Sequence, residues 1–158
     1  MIQRIQSVWL FLASATIFAL FLFPYLQYAD LDGIGRALKV TGAYQGLEGQ
    51  AVRTEFFVLQ TIATVLLGLF PLYIIFKFRQ RKQQLWLIAL EIILLLLFGI
   101  WLYGSASATL TAEGQALSAR NMGVGLFLLP VSIIFLCMAI GGIRKDEKLI
   151  KSADRLRG

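Results

Sequence analysis

Residues 85–103 read LWLIALEIILLLLFGIWLY, and this stretch decides the class of fold. Its length is close to the roughly 20 apolar residues that a helix needs to cross the hydrocarbon core of a bilayer. Glu91 is its single charged residue. The run is leucine-rich and continuous, whereas the strands of a membrane barrel alternate apolar and polar residues. A helix satisfies its backbone hydrogen bonds internally, so the stretch predicts a transmembrane helix.

Three further segments have the same character. They cover about residues 7–26, 56–76 and 124–143, in a chain that is 58% hydrophobic with a mean hydropathy of +0.75. We therefore expect an all-α membrane protein, an up-down bundle of four transmembrane helices. The bundle is expected to form a single integral membrane domain over residues 1–158.

The basic residues predict the orientation of these helices. Most of the fifteen lysines and arginines precede the first span, lie in the link KFRQRKQQ at residues 77–84, or follow residue 143. Lys and Arg favour the cytoplasmic side of a membrane, so we expect both termini and this link in the cytoplasm. The same asymmetry accounts for the net charge of +6, and we expect no nucleic acid as a partner.

Aromatic residues are typical of membrane interfaces, and here they fall near the ends of the predicted spans. The inner set is Trp9, Tyr73 and Trp86, and the outer set is Tyr25, Tyr28, Trp101 and Tyr103. Both sets agree with the orientation that the charges predict.

Two longer connections are predicted on the outer side. The first covers about residues 29–55, where ALKVTGAYQ at residues 37–45 alternates with a period of two. The second, residues 104–121, contains ATLTA at residues 108–112 followed by Glu113 and Gly114. The two patterns predict a small outer β-hairpin that pairs one loop with the other. Unstructured polar loops are the alternative.

The chain lacks the residue sets that enzymes and metal sites need. There is no histidine, and the single cysteine, Cys137, lies in an apolar run. The sequence GVG at residues 123–125 lacks the third glycine and the preceding strand of a dinucleotide-binding loop. Glu113 and Arg120 are isolated outer charges, which we expect to be solvated. We therefore expect a protein that is not an enzyme and uses no cofactor or metal.

Glu91 lies about six residues into its span, roughly 9 Å from the inner end. An ionisable group at that depth suggests a proton or cation site, or an ion pair with a partner. Alternatively, the carboxyl group is protonated or reaches toward Lys82. Few other polar residues lie within the spans, and they are Ser14, Thr16, Gln60, Thr61, Thr64 and Ser132. Because they are few, we favour a structural or partner-contact role over transport.

The tail IRKDEKLIKSADRLR, residues 143–157, predicts an amphipathic helix after the last span. Its basic residues could adhere to anionic lipids. Acidic residues interleave with them around a narrow apolar stripe, which favours docking to a protein. The predicted contact residues in this cytoplasmic tail, residues 144–158, are Arg144, Lys145, Asp146, Glu147, Lys148, Leu149, Ile150, Ala153, Arg155 and Leu156.

The start MIQRIQSVWLFLA, the link KFRQRKQQ and the ending IRKDEKLIKSADRLR together resemble a family of small bacterial inner-membrane proteins. The family is catalogued as domain of unknown function 4293. The resemblance covers the full length and is specific at the two ends. It implies a four-span protein of the bacterial inner membrane, without an assigned reaction, cofactor or catalytic residue.

These observations favour a non-enzymatic accessory or structural subunit of a larger inner-membrane complex, such as one for protein export or envelope assembly. Its expected partners are membrane lipids and other inner-membrane proteins. The alternative is a small transporter or channel that uses Glu91. A membrane enzyme that acts on lipids ranks last, because the residues for it are missing.

Overall fold

The computed structural model describes the backbone of residues 3–47 and 50–157, and the side chains of residues 5–47 and 50–153. The helices are α1 (Gln3–Phe18), α2 (Val58–Phe76), α3 (Arg81–Ala112) and α4 (Val124–Arg157), and a 3-10 turn (Ala19–Phe21) follows α1. The strands are β1 (Leu26–Ala29), β2 (Gly35–Lys39), β3 (Gly42–Leu47) and β4 (Gln50–Phe56). Helix α1 packs against α2 and α4, and α3 packs against the same two helices.

Three helices in the described part of the chain are long and apolar enough to cross a membrane. They are α2, α3 and the segment Val124–Ala153 of α4. Their outward faces expose large apolar side chains, such as Ile100 at 68% and Leu97 at 58%. A soluble protein rarely exposes apolar surface so continuously, whereas lipid tails solvate it.

The first predicted span, residues 7–26, is helical only to Phe21 including the 3-10 turn. Its apolar helical part, Ile5–Phe21, is shorter than these three helices. Pro24 explains the early end, because the residue before a proline is disfavoured in the helical region. The chain turns there and Leu26 begins β1.

The expectation of an all-α protein, an up-down helical bundle, is wrong. The connection between α1 and α2 forms a four-stranded antiparallel sheet in the order β1-β2-β3-β4. The alternating stretch 37–45 does contribute to strands, since it covers parts of β2 and β3, which pair with each other. Strand β4 is an edge strand, and all seven of its residues are exposed.

The expected hairpin between the two outer connections is also wrong. Residues 108–112 belong to α3, which continues to Ala112, well beyond the predicted end at residue 103. Leu102, Ala106 and Leu110 recur every four residues and are buried, so this C-terminal part of α3 has an apolar stripe of its own. One isolated bridge, Leu26 to Met122, joins the second connection to the described sheet.

Gly114 ends α3. Its φ of 67° lies in the left-handed region that glycine adopts without steric cost. The Gln115 N–H donates to the carbonyl of Leu110 at 2.8 Å, and the Gly114 N–H donates to that of Thr111 at 3.0 Å. This pair of bonds is a Schellman motif, which satisfies the last carbonyl groups of a helix.

Candidate functional site

The C-terminal end of α4 carries the predicted contact residues. Helix α4 has 34 residues and continues through Gly141 and Gly142 without interruption. At 1.5 Å per residue it is about 50 Å long, whereas the hydrocarbon core is about 30 Å thick. Roughly 20 Å of regular helix therefore extends past the span. A helix that continues straight from a span projects away from the bilayer instead of lying on its surface.

Helix α1 packs against the base of this projection. The Gln6 amide donates a hydrogen bond of 3.0 Å to the Asp146 carboxylate, and both side chains are buried. Ile143 is fully buried, and a Cβ on Gly142 would approach the Gln6 side chain. Asp146 therefore contributes to packing between α1 and α4. The sequence did not indicate this contact, because the two residues are 140 positions apart.

Beyond Asp146 the helix presents an exposed surface. Leu149 and Ile150 are 49% and 45% exposed. Glu147 is partly buried and pairs with Lys151 at 3.1 Å, one helical turn later. Of the other predicted contact residues, Arg144, Lys145, Lys148 and Ala153 are exposed. The side chains of Arg155 and Leu156 lie outside the described residues. This surface therefore combines two apolar side chains with a mixed-charge surround.

Glu91 points into the protein interior. It is fully buried on the face of α3 that also buries Ile88 and Leu95. Neither carboxyl oxygen has a hydrogen-bond partner among the described residues, and no ion pair there includes Glu91. Buried polar groups without a partner are uncommon and costly, so Glu91 is an unusual feature of this interior.

The polar residues that could accompany Glu91 are engaged elsewhere. Ser14 donates to the Gly68 carbonyl at 2.7 Å, and Ser132 donates to the Ala13 carbonyl at 3.2 Å. Gln60 hydrogen-bonds to the Ser105 and Tyr25 hydroxyls. The threonine hydroxyls of residues 16, 61 and 64 donate to carbonyl groups of the backbone. The described interior therefore contains polar links between helices, and none of these links reaches Glu91.

An ionic cluster joins the sheet to the C-terminal end of α3. Arg36 on β2 pairs with Asp30 at 2.5 Å and with Glu113 at 3.2 Å. The Leu31 backbone N–H, which donates to Asp30, lowers the pKa of that carboxyl group. A hydrogen bond with Asp30 raises the pKa of Glu113. The expectation that Glu113 is an isolated, solvated charge is therefore wrong.

The segment that follows the 3-10 turn meets the start of α4 through backbone hydrogen bonds. The Gly123 N–H donates to the Tyr25 carbonyl at 2.9 Å, and the Gly125 N–H donates to the Pro24 carbonyl at 2.9 Å. A Cβ on Gly123 would collide with the Pro24 carbonyl. The GVG stretch thus allows two backbones to approach closely. The described residues contain no group of three or more Cys, Asp or Glu side chains that could hold a metal ion.

Three membrane-length helices with apolar outward faces, joined to an antiparallel sheet, define a membrane protein. The chain belongs to the family described as domain of unknown function (DUF4293), whose model matches residues 2–156. No curated protein and no solved structure matches the chain.

Proposed function

We propose that this protein is a non-enzymatic accessory subunit of a larger complex in the bacterial inner membrane. In this proposal the projecting end of α4 docks a partner protein in the cytoplasm. The observation that carries the proposal is the exposure of Leu149 and Ile150 on a regular helix beyond the span. Exposed apolar side chains with a polar surround are typical of protein contacts.

The continuity of α4 supports a protein partner over a lipid one. A lipid-adhering amphipathic helix lies in the interface plane and buries its apolar face among the acyl chains. Such a helix would need a bend at the membrane surface, but α4 remains helical through Gly141 and Gly142. The Gln6–Asp146 hydrogen bond also holds the base of the projection against α1. Leu149 and Ile150 are then directed into the cytoplasm, where only a protein would cover them.

The proposal includes an orientation. The start of α1, the link between α2 and α3, and the end of α4 face the cytoplasm, and the sheet faces outward. Helix α1 with its 3-10 turn extends about 30 Å, which is sufficient for a crossing beside α2 and α4. The concentration of basic residues at one end of the helices supports this orientation.

Site-specific photo-crosslinking in native membranes tests the docking surface. A photoreactive side chain at position 149 or 150 should give one discrete crosslinked protein. The same probe at position 31, an apolar residue that is 80% exposed on the outer side, is the matched control. The double substitution Leu149→Ser/Ile150→Ser should abolish stoichiometric co-purification of that protein, whereas Leu31→Ser should not. Crosslinks to lipid alone at positions 149 and 150 would contradict the proposal.

A second candidate is a transporter or channel that uses Glu91. The observation that favours it is the burial of both Glu91 oxygens without a partner among the described residues. The engagement of the other polar residues of the interior in hydrogen bonds elsewhere disfavours it, because a proton path needs a chain of partners. Glu91→Gln is expected to insert normally. An ion flux into liposomes that the wild type supports and this variant loses would favour transport over docking.

A further inference from the structure

The hairpin between α2 and α3 contains a cavity of about 370 Å³. It is lined by Tyr73, Lys77, Lys82, Gln83, Trp86 and Leu87. The cavity therefore combines two cationic side chains with two aromatic rings. None of these groups has a role in the docking function proposed above.

Sequence spacing arranges the cations and the rings in matching pairs. Lys77 follows Tyr73 by four residues at the end of α2, and Lys82 precedes Trp86 by four residues at the start of α3. Residues four apart lie on the same face of a helix. The Lys77 ammonium group lies 5.6 Å from the centre of the Tyr73 ring. Each helix thus contributes one aromatic ring and one lysine to the same cavity.

The aromatic rings fix the depth of the cavity in the membrane. Trp86 is 80% exposed and Tyr73 is 49% exposed, as expected of rings at a membrane interface. Trp101 and Tyr103 lie 15 to 17 residues further along α3, or about 22 to 26 Å, and they mark the opposite interface. One helical turn beyond the rings, about 6 Å, the two lysines reach the level of the lipid phosphate groups.

Hydrogen bonds join the ends of α2 and α3 that carry the two lysines. Four residues separate α2 from α3. The buried Gln84 amide donates to the Ile74 carbonyl at 3.4 Å and thereby joins the start of α3 to the end of α2. The Gln80 N–H also donates to the Lys77 carbonyl at 2.9 Å. These bonds hold the two helix ends, and hence the lysines, around the cavity.

No carboxylate competes for these cations in the described part of the chain. The link carries Lys77, Arg79, Arg81 and Lys82 without an acidic residue, and none of them makes an ion pair there. The end of α4 differs, because it interleaves Asp146 and Glu147 with its basic residues. The link is therefore the more suitable of the two surfaces for an anion.

We propose that the cavity between α2 and α3 binds the head group of an anionic glycerophospholipid. Lys77 and Lys82 contact the phosphate, and Tyr73 and Trp86 contact the glycerol and the first part of the acyl chains. Basic pockets between transmembrane helices are known sites for anionic head groups. A zwitterionic lipid carries a choline or ethanolamine cation that the lysines repel, so it should bind less well.

Native mass spectrometry of the full chain in a mild detergent tests this proposal. The protein is titrated with phosphatidylglycerol or with phosphatidylcholine, and bound lipid is counted. We expect one phosphatidylglycerol to be retained in preference to phosphatidylcholine. Lys77→Gln/Lys82→Gln should weaken its retention about tenfold or more. Lys77→Arg/Lys82→Arg keeps the charge and should retain the lipid.

The matched control is Lys39→Gln/Arg120→Gln, which removes the same charge from outside the cavity and outside the docking surface and should not change retention. Equal weakening by both glutamine pairs would mean a net-charge effect and would overturn the proposal. Equal retention of both lipids would also overturn it.

A competition experiment with inorganic phosphate at millimolar concentration distinguishes a lipid head group from free phosphate. We expect the phosphate to displace no lipid. Displacement would assign the cavity to free phosphate. Each variant is first compared with the wild type by circular dichroism, and Lys82→Gln alone serves if the double variant misfolds.

Discussion

Gly123 has no side chain, and this allows α4 to begin against the backbone of Pro24. The Gly123 N–H bonds to the Tyr25 carbonyl, and a Cβ would collide with the Pro24 carbonyl. Neither neighbour is the far end of a side chain that could rotate away. The junction between α1, the sheet and α4 therefore depends on the absence of a side chain at one position.

Substitution of Gly123 by Ala should destabilise the protein. Overpacking of this kind typically costs about 1–3 kcal/mol, because the backbone has to shift. The measurement is the apparent melting temperature in detergent. Gly104→Ala is the control, because a Cβ at that exposed helical position meets no other atom within 4 Å. It should leave the stability unchanged or raise it by up to about 1 kcal/mol. Equal effects of the two substitutions would refute the close-approach argument.

The ionic cluster at Arg36 predicts a pH dependence. The pKa of Asp30 is lowered, chiefly by the Leu31 backbone N–H. Its stabilising contribution is thus present above the ordinary aspartate pKa of 3.8 and is lost as the pH falls through the lower folded value. The pKa of Glu113 is raised, so its contribution is present at low pH and is lost as the pH rises through the folded value.

Asp30→Asn removes the group with the lowered pKa. The difference in melting temperature between the wild type and this variant should be largest at neutral pH and should disappear in acid. Asp32→Asn is the control, since Asp32 is exposed on the same turn and makes no ion pair within the described residues. A difference that grows as the pH falls would have the wrong sign for the proposed cluster.

At the scale of elements, the sequence predicted which segments form helices and strands better than it predicted which segments pair with each other. Continuous apolar runs identified the segments that form α2, α3 and the membrane part of α4, because length and hydropathy are properties of the segment alone. The alternation in residues 37–45 indicated strands, but it contained no information about which segment pairs with them. They pair with each other and with β1 and β4.

The C-terminal part of α3 shows how tertiary contacts override β-propensity. ATLTA contains β-branched residues, and this favoured a strand. Helix α3 nevertheless continues, because Ala106 and Leu110 extend the buried stripe that begins within the span. The four-residue spacing and the glycine at position 114 were visible in the sequence. The contacts that bury the stripe and the Gln6–Asp146 hydrogen bond were not, since they join residues far apart in the chain.

In the proposed function, docking depends on the direction in which the C-terminal end of α4 projects. Gly141→Pro should kink the helix at the base of its projection, because proline removes a backbone donor and clashes with the preceding turn. We expect the crosslink from position 149 to be lost or to change partner. Gly141→Ala is the matched control, because a Cβ there meets no other atom within 4 Å and the helix continues. An unchanged crosslink in the proline variant would show that the projection acts as a tether, without a fixed direction.

At the scale of the whole molecule, apolar and charged surfaces separate along the helix axes. Exposed apolar side chains cover the outward faces of α2, α3 and α4, whereas the basic link and the projecting end of α4 lie at one end and the sheet at the other. In a bilayer this arrangement leaves the sheet on the side opposite the link. The orientation proposed above follows from the excess of Lys and Arg at the link end.

Cysteine labelling tests this arrangement directly. Cys137 is the single cysteine, so a Cys137→Ser background accepts one reporter at a time. Leu31→Cys, on the sheet side, should react with a membrane-impermeant maleimide in intact spheroplasts. Leu149→Cys should react only after the membrane is permeabilised, because the reagent cannot cross the hydrocarbon core. The proposed topology places three crossings, α2, α3 and α4, between these two positions. Reaction of both positions in intact spheroplasts would require an even number of crossings between them. This result would transfer the docking surface of α4 to the outside and exclude a cytoplasmic partner.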